Sequence, residues 1–111
     1  MKLQYVIKFV ADMDRAVTFY RDVLGLPLKF HSPGWSEFVT GETILALHPA
    51  SQENLAGAVE LGFSVPDLDK FHQEMRAKDV QFSMSPTKQD FGGVLAQFVD
   101  SEGARCSVGG Q

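Results

Sequence analysis

The side chain best placed to do chemistry is Glu60. It lies in the run Ala58-Val-Glu-Leu-Gly-Phe-Ser-Val65, where Val59, Leu61, Phe63 and Val65 alternate with Ala58, Glu60, Gly62 and Ser64. A strand repeats every second residue, so each set takes its own face. Glu60 is then the one ionisable group among small residues. A carboxylate so placed can act as a general base or anchor a cationic ligand. Arg105 and Ser107 share a face of the last strand, so an Arg105–Glu60 ion pair is the plain structural role of the same residue. His48 shares a strand face with Ala46 and suits either a ligand site or a strand-end surface position. Tyr5, Phe9, Trp35, Phe38 and Phe91 supply aromatic walls. Such walls stack flat ligands, or simply fill a core. Cys106 alternates with Arg105 and Ser107 and is expected on the opposite, helix-facing side, inert. His31 and the helical His72, expected at an exposed helix edge, are weaker candidates. There is no Ser-His-Asp spacing, phosphate loop or dinucleotide fingerprint.

The elements that must position these residues repeat. Residues 3–10 are β-branched and aromatic and read as a strand. Asp12 and Asp14 are helix-start residues, and residues 13–24 carry Val17, Tyr20 and Leu24 at helical spacing before Gly25. Strands follow at 26–31, 35–40 and 43–48, with Pro33-Gly34 and Gly41-Glu42 as turns. The polar stretch 49–57 reads as a linker. A strand at 58–65 leads through Pro66-Asp67 into a helix to about Lys78, with Leu68, Phe71 and Met75 on its buried stripe. Strands at 80–84, 94–99 and 104–108 complete the chain, with residues 85–93 as a loop. The order strand-helix-strand-strand-strand thus occurs twice, in modules 3–48 and 58–109. It predicts an α+β fold: two βαβββ modules forming a curved mixed sheet around a cleft, in one domain covering residues 1–111.

The bulk numbers narrow the function classes. The chain has 111 residues, 44% of them hydrophobic and 22% charged, as in ordinary soluble domains. A formal net charge of −4 leaves no basic stripe for phosphates, so nucleic acid is not an expected partner. One cysteine allows no intrachain disulfide. No signal-like or membrane-spanning run is present, so a cytoplasmic location away from membranes is expected.

The repeat, the Asp14-Arg-Ala16 to Phe19-Tyr20 helix, the Leu24-Gly25 stop and the closing Asp100-Ser-Glu-Gly103 resemble the vicinal oxygen chelate superfamily. That group includes glyoxalase I, bleomycin-resistance proteins and extradiol dioxygenases. The closing turn keeps only the first Asp and the Gly of the family's Asp-Pro-Asp-Gly. The resemblance implies four metal-ligand positions, which here read Tyr5, Ala46, Glu60 and Ser107. Only Glu60 is a good ligand, and a catalytic divalent metal generally needs three protein ligands. No metal and no other cofactor is therefore expected, though His48 with Glu60 leaves a weak divalent site open.

These observations lead to a small-molecule-binding protein similar to the bleomycin-resistance branch, with the family metal lost. The expected ligand-binding residues are Tyr5, Trp35, His48, Glu60 and Ser107. Two alternatives stay open: a metal-dependent lyase or isomerase of the glyoxalase type with an altered ligand set, and a metal-free enzyme using Glu60 as catalytic base. Relatives of this length imply a homodimer, and open sheet edges need covering.

Overall fold

A computed structural model describes residues 1–110. Its elements are β1 (Lys2–Val10), α1 (Met13–Thr18), a π-helical turn (Phe19–Val23), β2 (Leu28–His31), β3 (Ser36–Val39), β4 (Ile44–Pro49), β5 (Val59–Val65), α2 (Leu68–Ala77), β6 (Phe82–Lys88), β7 (Val94–Val99) and β8 (Arg105–Gly110). The order strand, helix, three strands occurs twice, and the fold is mixed α+β as the sequence predicts. The residues group into two compact units: Gln4–Val59, and the remainder from Glu60 onward with Met1–Leu3.

In the first unit the strands run β2-β3-β4-β1. β1 and β4 are parallel, with Tyr5 opposite Ile44, Ile7 opposite Ala46 and Phe9 opposite His48. β3 pairs antiparallel with both β2 and β4. Asp12 caps α1, its carboxylate accepting the Arg15 amide at 3.0 Å. The helix-facing core is Val17, Phe38 and Leu47, flanked by Tyr20, Leu28 and Leu45. The spacing of residues 13–24 predicts one continuous helix, but the structure divides it. After Thr18 the turn widens, and the Leu24 amide donates to the Phe19 carbonyl at 3.0 Å, one residue beyond the α-helical partner. Gly25, at φ +75°, ends it in a backbone region costly for other residues.

In the second unit the order is β5-β8-β7-β6, with β5 and β8 parallel and the rest antiparallel. Asp67 caps α2 through the Lys70 amide at 3.0 Å. Leu68, Ala96 and Val108 form the core under α2, with Phe63, Phe71, Phe82 and Phe98 packed against it. Val59 and Leu61 share the alternation of Phe63 but lie outside this cluster, 50% and 38% exposed.

Three expectations are corrected here. Residues 85–93 are not all loop: β6 runs to Lys88 through Pro86, which an edge strand tolerates because it spares a ladder donor. His72 is not at an exposed edge. Its ring sits 4.6 Å from that of Phe82, and its Nε2 is buried without a hydrogen-bond partner. Phe38 is no wall of a ligand site, since it is fully buried under α1. Glu37 on β3, and Trp35 just before it, alternate to the other face.

Candidate functional site

The helix-free face of the first unit is aromatic. Tyr5, Ile7 and Phe9 share it from β1, and Ala46 and His48 from β4. Trp35, just before β3, adds its indole. The rings meet edge to face: Tyr5 and Trp35 at 5.8 Å, Trp35 and His48 at 6.2 Å, Phe9 and His48 at 5.6 Å. This geometry suits aromatic quadrupoles, the positive edge of one ring meeting the negative face of the next. The floor is apolar, formed by the buried Ile7, Phe9 and Ala46. His48 stands exposed at the rim, its Nδ1 2.9 Å from the Pro49 carbonyl oxygen.

One carboxylate holds this panel in place. Trp35 Nε1 donates to Glu37 Oε2 at 2.7 Å, and Lys29 Nζ lies 3.8 Å from Glu37 Oε1. The indole ring is thereby fixed in rotation. The Ser32 hydroxyl accepts the Trp35 amide at 3.0 Å and donates back to its carbonyl at 2.8 Å, fixing its backbone. Burial, and secondarily the charge of Glu37, pushes the Tyr5 phenol above the usual tyrosine range, so it stays a neutral hydrogen-bonding group. Glu37 is the member of this cluster that the sequence reading did not single out. Its signal was present, because Glu37 follows Trp35 by two residues and so shares its strand face.

The corresponding face of the second unit is polar and closed. Glu60 is only 7% exposed. Arg105 Nε donates to its Oε1 at 2.9 Å, and the Ser107 hydroxyl donates to its Oε2. The strand register explains this, because Gly62 sits opposite Ser107 on the parallel β5–β8 pair. Both carboxylate oxygens are thus engaged, and the ion-pair role is the one seen. Cys106 alternates to the helix side and is buried, which pushes its thiol above the usual range. Of the five ligand-site residues expected, Tyr5, Trp35 and His48 come together in the first unit, and Glu60 with Ser107 in the second. Phe91, expected among the aromatic walls, is 74% exposed in the β6–β7 connection.

A sequence model of the Glyoxalase/Bleomycin resistance protein/Dioxygenase superfamily matches residues 2–108. The chain belongs to this superfamily. A curated relative, the uncharacterized protein YraH of Bacillus subtilis (strain 168), is 28% identical over 120 residues, 92% of each chain. Among solved structures, one described as an NAD-dependent benzaldehyde dehydrogenase from Legionella pneumophila superposes with a TM-score of 0.79 at 24% identity, over 96% of both chains. Methylmalonyl-CoA epimerase from Mycobacterium tuberculosis gives 0.77 at 19% identity, over 98% of this chain and 87% of its own. At these identities the structural likeness concerns the fold.

Superfamily membership raises the question of a divalent metal at the four family positions. Ala46 has no donor atom and is fully buried. Tyr5 is held neutral, the Ser107 hydroxyl is spent on Glu60, and Glu60 already faces the Arg105 guanidinium. Among the described residues, no three His, Cys, Asp or Glu side chains gather in a metal-holding group. As a donor set these residues do not suit such a metal.

Proposed function

We propose that this superfamily member binds a flat small molecule on the aromatic panel of its first unit, without a resident metal. Trp35 and Tyr5 supply stacking surface, His48 a rim hydrogen bond, and Glu37 an acceptor beside the ring edges. The observation that carries this reading is the double anchoring of Trp35, at its indole by Glu37 and at its backbone by Ser32. A ring fixed before the ligand arrives loses little further rotamer freedom on binding. Glu60 and Ser107 contribute by holding Arg105 in place. A general-base role for Glu60 is disfavoured by the two donors on its oxygens, and a metal-dependent lyase by the donor set above.

Trp35 is the only tryptophan, so its fluorescence reports this site alone. Titrating purified, EDTA-treated protein with planar heteroaromatic compounds is expected to shift its emission saturably. Emission unmoved by every planar compound up to millimolar concentration would refute the proposal. The same reading carries a homodimer, supported by the exposed apolar Val59, Leu61, Val23 and Leu24. Sedimentation showing only monomer at micromolar concentration would remove that part.

A further inference from the structure

A cavity of about 350 Å³ opens on the first unit, sharing only Phe9 with the aromatic panel. The end of β1, α1 with the π-turn, and residues Ala56 and Gly57 line it. This volume lies in the range of small-ligand sites. Val10, Ala16, Phe19 and Tyr20 give it an apolar wall. The Phe19 and Tyr20 rings meet edge to face at 5.3 Å, and Phe19 is left half exposed at the mouth. Phe19 opens the π-turn, which buries none of its own residues.

The charge here runs against the rest of the molecule. The chain is net negative at −4, yet Lys8 and Arg15 both line this cavity. Among the described residues, neither side chain is in an ion pair. Lys8 Nζ donates to the Gly57 carbonyl at 2.8 Å, which holds the ammonium at the wall while leaving it further donors. Asp12 is the single acid of the lining, and its Oδ1 accepts the Arg15 amide at 3.0 Å. The lining therefore carries two cations against one committed carboxylate.

We infer that this cavity is a second binding site, for a small monocarboxylate with a flat apolar body. The body lies against Phe19 and Tyr20, and the carboxylate meets Lys8 and Arg15. Charge-assisted bonds of this kind are the strong ones, and Arg15 can offer two parallel donors to one carboxylate. The site includes none of Trp35, Tyr5 and His48, and takes the opposite charge preference to that of an acidic surface.

The test is an amide-resolved NMR titration of the full chain with 2-naphthoate, and with 2-naphthamide as its uncharged counterpart. Naphthoate is expected to move the Phe19 and Gly57 amides, and naphthamide to bind at least about tenfold more weakly. Arg15→Gln, at an exposed side chain that leaves the core untouched, is expected to weaken naphthoate about tenfold and naphthamide little. Phe19→Ala is expected to weaken both. Equal affinity for acid and amide, indifference to Arg15→Gln, shifts centred on Trp35, or no binding at millimolar naphthoate would each overturn the inference.

Discussion

The two units repeat one order of elements and differ in what they place on their helix-free faces. The first carries four rings and a carboxylate tied to an indole. The second carries a carboxylate closed by a guanidinium and a hydroxyl. Under the helices they are alike. Val17, Phe38 and Leu47 fill the same role in one as Leu68, Ala96 and Val108 in the other. The helices themselves diverge, six residues plus a π-turn against ten regular ones. The lesson is that the helix-packed side of the repeat is bound by core volume, while the open side is free to change its chemistry.

Changes under the helices should hurt both units alike and most. Phe38→Ala is expected to cost about 3–5 kcal/mol and Leu68→Ala about 2–5 kcal/mol, read from urea unfolding. A much smaller loss for one would show that the two cores are not equivalent.

The carboxylates should separate the faces. Arg105→Met leaves Glu60 buried without its cation. Breaking a buried pair costs about 3–5 kcal/mol, but Arg105 is 32% exposed, so about 1–3 kcal/mol is expected. Glu37→Gln keeps an acceptor for the Trp35 indole and should cost under about 1 kcal/mol. Equal losses would mean that Glu37, too, is chiefly structural. On the binding side, Trp35→Ala should lower affinity for a flat ligand by about 1 kcal/mol, roughly fivefold, measured by calorimetry because the fluorophore is gone.

The smallest effect concerns alkaline pH. Burial raises both the Cys106 thiol and the Tyr5 phenol, so the folded chain keeps protons that the unfolded chain releases. The stability tied to each is full below its unfolded pKa, about 8.5 for Cys and about 10 for Tyr, and is lost as pH rises through the higher folded value. Thermal unfolding followed from pH 8 upward should show a falling Tm, with a shallower initial fall in Cys106→Ala. An unchanged slope in that variant would assign the loss to other groups.

Much of this was legible in the residues. The strand alternation around Glu60 assigned its face, and with Arg105 and Ser107 sharing a face it anticipated the ion pair. Capping by Asp12 and Asp67 followed from local hydrogen bonding alone. The misses share a physical cause, which is that burial depends on which part of a neighbour lies overhead. Period two places Val59 and Leu61 with Phe63, but the core under α2 takes in only the last of these. Phe38 and Trp35 are equally aromatic, but three residues apart in an extended run they take opposite faces, so one lies under α1 and the other on the open face. The π-turn inserts one residue into an otherwise regular apolar stripe, which periodicity reads straight through. Pro86 reads as a strand breaker unless β6 is known to be an edge.

The central claim is that small-molecule binding belongs to the aromatic face of the first unit and needs no metal. It is tested most directly by titrating one planar ligand, found through Trp35 emission, into EDTA-treated wild type, Tyr5→Ala and Glu60→Gln. Affinity that survives EDTA, falls severalfold in Tyr5→Ala and holds in a folded Glu60→Gln is the predicted result. Binding that appears only with an added divalent metal, or that is lost in Glu60→Gln while Tyr5→Ala is unaffected, would contradict it.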